Sequence, residues 1–250
     1  MKKRIYTSIV TFLVLVILGS TYALAADTTS RNPAITPVDR NELKWWNDRH
    51  LAKLAEVKEK AGNVDLLMIG DSITHFWESE AGTVVWEKYY ANRKPFNIGY
   101  GGDRTEHVLW RLDHGEVDGI SPKLAVMMIG TNNIGHQSST PAQTIEGIKA
   151  ILAKLEQKLP ETKILLLAVF PRGANENDGL RNQVNEINQG LPALADGKQV
   201  FYLDIGSKFL DDNKILPKSV MPDLLHPNAK GYEIWAKAIE PSVEKLLGEK

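Results

Sequence analysis

From residue 40 onward the chain carries two kinds of hydrophobic pattern. Residues 40 to 61 place Leu43, Trp46, Leu51, Leu54 and Val57 at helical spacing, which predicts an amphipathic helix. Five short apolar runs follow: VDLLMIG (64–70), PFNIGYG (95–101), KLAVMMIGT (123–131), KILLLAVFP (163–171) and VFYLDIG (200–206). None alternates apolar with polar positions, as expected of parallel strands covered on both faces. Helical stretches separate the runs. The clearest is TPAQTIEGIKAILAKLEQKLP, with Thr140 as its cap and Pro141 in its first turn. A last helix should begin near Asn228, and Pro241 should kink or restart it.

This strand–helix alternation predicts α/β architecture: a single doubly wound, flavodoxin-like, three-layer α/β/α domain of about five parallel strands. The domain should span residues 63–250, preceded by an N-terminal segment and helix over 26–62. In such sheets the binding crevice lies beyond the carboxyl ends of the strands, near a topological switch point. Chemistry-bearing residues should therefore cluster where the runs end. Run one ends in Gly70-Asp71-Ser72. Run two leads into Gly99-Tyr100-Gly101-Gly102-Asp103, and run three into Gly130-Thr131-Asn132-Asn133.

Composition narrows the possible chemistries. A chain of 250 residues that is 43% hydrophobic can bury one substantial core. Its formal net charge of −1, with no basic cluster beyond the first four residues, gives no electrostatic case for nucleic acid. It has no cysteine, which excludes a disulfide framework, a cysteine nucleophile and a thiolate zinc site. The N-terminus is different in kind. MKKRIYTSIVTFLVLVILGSTYALA has a basic start, an apolar stretch around Ile9 to Leu18, and small residues at Ala23 and Ala25. This is the layout of a secretory signal peptide over residues 1–25, its apolar run short for a membrane span. Cleavage is expected after Ala25 or Ala26, followed by periplasmic or secreted residence without stable membrane insertion. Loss of Lys2, Lys3 and Arg4 takes the formal net charge from −1 to −4.

Ser72 at the end of the first run is a candidate nucleophile, although Gly-Asp-Ser is also ordinary turn composition. A serine hydroxyl needs a neighbouring base, usually a histidine oriented by a carboxylate. Six histidines are available, at 50, 75, 107, 114, 136 and 226. His226 stands in the polar loop MPDLLHPNAKGY, three residues after Asp223, a spacing that can bring the carboxylate to Nδ1. Acyl transfer also needs donors for a developing oxyanion. Gly102 can expose its backbone N–H, and Asn132 offers a side-chain amide. Each of these residues also has an ordinary structural reading: a turn, a cap or a loop histidine. For His107 and Trp110 packing is the expected role, for His136 a substrate contact is a lesser alternative, and for Arg104 a surface salt bridge is as expected as a ligand contact.

Taken together and in order, Gly-Asp-Ser, Gly-Gly-Asp, Gly-Thr-Asn-Asn and a late Asp-x-x-His resemble the four blocks of the GDSL/SGNH hydrolases. The likeness spans about residues 64 to 240. Within that family, NIGYGGDRTEHVLWRL and IGTNNIGH are similar to the platelet-activating factor acetylhydrolase catalytic type and to exported bacterial esterases of that kind. Ile73 stands where the family name has leucine, an apolar exchange. The resemblance implies Ser72 as nucleophile, Asp223 and His226 as its triad partners, and an oxyanion hole of Ser72, Gly102 and Asn132. It also implies ester hydrolysis without metal or cofactor, on a small acyl ester. Export favours an acetylated glycan as substrate; a lysophospholipid-type or lipid acetyl ester is the alternative. A nucleotide-binding reading would want a P-loop glycine–lysine pattern, which is absent. A non-catalytic carbohydrate-binding protein on the same fold would be expected to lack the serine or the histidine.

Overall fold

Each apolar run supplies one strand of the sheet. In the computed structural model, which describes residues 32–249, these are β1 (Leu66–Gly70), β2 (Pro95–Gly99), β3 (Leu124–Met128), β4 (Lys163–Leu167) and β5 (Val200–Leu203). All neighbours pair in parallel, in the order β2-β1-β3-β4-β5. The predicted signal peptide lies outside the described residues. Among those described, no helix is long and apolar enough to cross a membrane.

Period-two geometry sorts each strand's side chains onto two faces. Leu67, Ile69, Phe96, Ile98, Ala125 and Met127 enter one core. It is covered by α1 (Lys44–Glu59), α4 (Thr105–Asp113), α6 (Pro141–Lys158) and α7 (Gly179–Gly190). Leu66, Met68, Leu124, Val126, Leu165 and Leu167 enter the other. There they meet α3 (Glu80–Tyr89) and α8 (Ala229–Leu247), whose Tyr232, Trp235, Ile239 and Val243 are buried. The result is a three-layer α/β/α sandwich, as the alternation predicts. Ile73 takes its place in the second core.

Four strands stop two to four residues before their apolar runs do. Residues such as Ile129, Val169 and Phe170 are buried yet have left the ladder. An apolar run reports burial, and burial continues past the last paired residue.

The helix ends follow local chemistry. Thr140 and Gln143 form a reciprocal capping box at α6, with Pro141 in its first turn. Asn228 accepts from the Gly231 N–H at 3.1 Å to start α8, and Gly248, at φ +76°, closes it. Two expectations need correction. Pro241 does not restart α8, which runs through it unbroken. Pro241 and Lys237 both lie on the exposed face, so the carbonyl that loses its N–H partner can bond to water. In α1, Leu51 is exposed, and the inner stripe is instead Trp46, His50, Lys53 and Val57. The inward polar groups are paired: His50 Nδ1 lies 2.9 Å from Glu116 Oε1, and Lys53 Nζ 2.7 Å from Glu56 Oε2.

Candidate active site

The register sets the level of the site. Gly70 pairs with Gly99 on one side and Met128 on the other, so three loops leave adjacent strands at one edge of the sheet. β1 sits at the reversal of strand order, where doubly wound sheets open a crevice. Asp71 caps the short helix α2 (Ser72–His75) by accepting from the Ile73 N–H at 3.0 Å. Ser72 is therefore the first helical residue, and first-turn N–H groups have no partner within a helix. Neither the Ser72 N–H nor the Gly102 N–H has an acceptor among the described residues. Gly102 adopts φ +72°, a left-handed conformation that favours glycine, and a Cβ there would lie 3.0 Å from Arg40 Nη1.

The late block reaches this edge from the loop before α8. Ser72 Oγ lies 2.9 Å from His226 Nε2, and His226 Nδ1 lies 2.6 Å from Asp223 Oδ2. A carboxylate only accepts, so Nδ1 carries the proton and Nε2 is left to accept from the Ser72 hydroxyl. The other oxygen, Asp223 Oδ1, accepts from the N–H groups of Leu225 (3.0 Å) and His226 (2.7 Å). Burial pushes the Asp223 carboxyl up, but these donors and the imidazole outweigh it and hold it below its ordinary value. Phe76 packs its ring against His226 with centroids 5.2 Å apart. Tyr232 donates its hydroxyl to the Ile73 carbonyl at 2.8 Å, tying α8 to the turn that carries Ser72.

Asn132 is the second residue of α5 (Thr131–Gly135), the short helix that follows β3. Its Nδ2 donates to the Asp103 carbonyl at 2.9 Å, leaving a second N–H available. Asp103 is itself fixed from several sides. Its buried carboxylate accepts from Arg111 Nε (2.9 Å), Trp46 Nε1 (2.7 Å) and, at 3.4 Å, Arg40 Nη1. Arg111 also binds Glu116, and Glu116 in turn binds His50 and Tyr100. All three charged groups, Asp103, Arg111 and Glu116, have no exposed surface.

The sequence-predicted residues divide clearly. Ser72, His226 and Asp223 are joined by hydrogen bonds, while Gly102 and Asn132 stand in the loops that leave the strands on either side of β1. His107 is buried and accepts from the Arg104 N–H at 3.0 Å through Nδ1, a capping role. Burial, followed by Arg104, pulls its pKa down to about 2. His114 stacks on Trp110 at the C-terminal end of α4. Arg104 pairs with Glu106 at 2.5 Å. His136 is exposed at the end of α5, its proton affinity lowered by partial desolvation and then by Arg104, Arg40 and Arg172. His75 accepts from the Gly101 N–H at 3.2 Å; burial and then Arg49 lower its pKa to about 4.

Sequence reasoning missed several neighbours. Arg40 donates to the Gly101 carbonyl at 2.9 Å and closes over Gly102. Trp45 and Phe76 are exposed aromatics at the same mouth, 44% and 37% accessible. Arg172 follows the fourth apolar run and reaches across to Thr131. The rule that places chemistry at the ends of the first three runs would have found Arg172 at the end of the fourth.

Residues 68–234 match the GDSL-like lipase/acylhydrolase family. The chain belongs to that family and is a carboxylic ester hydrolase. Among curated relatives, the human platelet-activating factor acetylhydrolase IB subunit alpha1 is 32% identical over 222 residues, 87% of this chain and 92% of that one. The rat alpha2 subunit is 32% identical over 225 residues, 87% and 93%. Solved structures share the fold. A GDSL-like lipase from Bacteroides thetaiotaomicron superposes with TM-score 0.62 at 18% identity, covering 79% of this chain and 97% of its own. An acetylxylan esterase from Geobacillus stearothermophilus gives 0.57 at 18%, covering 76% and 97%.

Proposed function

We propose that this protein is a secreted serine esterase that removes short acyl groups, chiefly acetyl, from carbohydrates. The observation that carries the reading is the relay of Ser72 Oγ, His226 and Asp223 at 2.9 and 2.6 Å. His226 Nε2 takes the hydroxyl proton as Ser72 Oγ attacks the ester carbonyl. Charge developing on the carbonyl oxygen is met by the Ser72 N–H, the Gly102 N–H and the second N–H of Asn132. The imidazolium, held by Asp223, gives its proton to the departing alcohol. A water then repeats the attack on the acyl-enzyme, and Ser72 recovers its proton.

The carbohydrate assignment draws on the exposed aromatics Trp45 and Phe76 at the mouth, which suit the apolar face of a sugar ring, and on the predicted leader over residues 1–25. The acetylhydrolase relatives favour a lipid acetyl ester as the second reading. Wild-type protein should react with an active-serine phosphonate and hydrolyse 4-nitrophenyl acetate faster than longer acyl esters. Ser72→Ala should do neither while keeping its fold. Normal turnover by folded Ser72→Ala refutes the reading. A comparison of acetylated xylo-oligosaccharides with acetylated glycerolipids separates the two substrate classes.

A further inference from the structure

A guanidinium without an ion-pair partner among the described residues stands at the edge of the crevice. Arg172 Nη1 donates to the Thr131 carbonyl (3.0 Å) and hydroxyl (3.1 Å), while its Nε and Nη2 meet no acceptor among the described residues. The acidic side chains that act on it electrostatically are Asp178, Asp71 and Asp223, and none lies within ion-pair distance among the described residues. Each is committed elsewhere. Asp178 caps α7 through the N–H groups of Leu180 and Arg181, Asp71 caps α2, and Asp223 holds His226. Burial outweighs these acidic groups and lowers the proton affinity of Arg172.

The seat of this side chain is built. Its own carbonyl accepts from the buried Arg181 Nε at 2.7 Å, and the Gly173 carbonyl accepts from Arg181 Nη2 at 2.6 Å. Gly135 leaves the space it occupies, since a Cβ there would lie 2.5 Å from Arg172 Nη1. The Gly173 N–H donates to the Leu224 carbonyl at 2.9 Å, between Asp223 and His226 in sequence. Arg172 therefore stands on the His226 side of the crevice. That is the side from which the leaving alcohol takes its proton.

We infer that Arg172 is a specificity-determining contact for an anionic group on the alcohol part of the ester, a carboxylate or a phosphate monoester. Guanidinium forks match both anions in two-point geometry. The inference rests on Ser72 and His226 acting as proposed above. A carboxylate would come from an acetylated uronic acid unit, a phosphate from an acetylated glycerophosphate.

The test uses two matched pairs of acetyl esters. Methyl acetylglucuronide is compared with methyl acetylglucoside, and acetylglycerol 3-phosphate with acetylglycerol. The quantity read is the ratio of kcat/KM, anionic over neutral, within each protein. Wild type should favour the anion by about tenfold or more in one pair, and that pair identifies the source of the charge. In Arg172→Gln the ratio should fall to about one, chiefly through KM; in Arg172→Lys it should fall severalfold, because an ammonium keeps the charge and loses the fork. A wild-type ratio near one in both pairs overturns the inference, as does an undiminished ratio in either variant. The wild-type ratio and Arg172→Lys decide the matter if Arg172→Gln does not fold. Failure to hydrolyse any of the four esters or 4-nitrophenyl acetate would count against the esterase reading itself. Hydrolysis without anion preference overturns the Arg172 contact alone.

Discussion

Asp71→Asn should flatten the pH dependence of stability, in a direction fixed by the burial of this carboxyl. The Asp71 side chain has no exposed surface. Its Oδ1 accepts from the Ile73 N–H, and its Oδ2 has no partner among the described residues. Burial is the largest influence and disfavours the carboxylate; the Ile73 N–H opposes it, Asp103 reinforces it and Arg172 opposes it. The balance moves the pKa from 3.8 to about 7. The folded protein thus holds a proton that the unfolded chain releases, and stability must fall as pH rises between those values. The contribution is fully present below about pH 4 and lost as pH rises through about 7. A displacement of about 3 pH units is worth ~4 kcal/mol, of which roughly 3 kcal/mol falls between pH 4.5 and 8. Asparagine is neutral throughout and keeps an oxygen for the Ile73 N–H, being as good a cap as aspartate. Urea unfolding of both proteins across that range measures the difference directly, and groups titrating equally in both cancel. Stability profiles that run parallel within about 0.5 kcal/mol would show that Asp71 is ionised in the fold at no cost, and refute the reasoning.

Asn132→Ala should lower kcat by about 10²–10³, or ~2.7–4 kcal/mol, with KM nearly unchanged, because the amide meets charge that exists only in the transition state; a KM effect alone would make it a substrate-binding group. Asp223→Asn keeps an acceptor for the Leu225 and His226 N–H groups but favours the wrong imidazole tautomer, so kcat should fall by up to about 10⁴-fold; steady-state kinetics showing less than a tenfold loss (~1.4 kcal/mol) would remove Asp223 from the relay. Tyr232→Phe leaves the Ile73 carbonyl without its buried donor and should cost about 1–3 kcal/mol in urea unfolding. An unchanged unfolding midpoint and slope would show that the carbonyl finds another partner.

The sequence pattern was most informative where a residue's environment is apolar on all sides. The runs around Leu66, Phe96, Leu124, Ile164 and Val200 are continuous because both faces of the sheet are covered, and the architecture follows from counting them. The site was legible for a related reason. Ser72, Gly102 and Asn132 sit where apolar runs break into small and polar residues, and His226 follows Asp223 closely enough for a local loop to join them. What the pattern hid was polarity facing inward. Helical spacing in α1 pointed to Leu51 as a core residue and passed over His50 and Lys53, whose polar atoms are met by Glu116 for His50 and by Glu56 and Glu78 for Lys53. Pro241 did not restart the helix because the carbonyl it frees, that of Lys237, lies on the exposed face.

The buried Arg111 shows why such inward polarity belongs beside this site. It occupies the core-facing side of α4 among Val108 and Leu112, positions that a sequence pattern reserves for apolar residues. Hydrophobic residues of similar volume would hold α4 against the sheet as well or better, since desolvating a buried ion pair often costs as much as the pair returns. What they could not supply is direction. Arg111 and Trp46 fix the carboxylate of Asp103, and that fixes the heading of its main-chain carbonyl, the acceptor that holds Asn132 Nδ2 at 2.9 Å. An oxyanion donor acts only if aimed within a few tenths of an ångström. Gly102, adjacent to Asp103, is held by the same anchor. The polar cluster under the loops thus ties the Asp103 main chain, and with it the Asn132 amide, to one arrangement, the rigidity that the proposed oxyanion role requires.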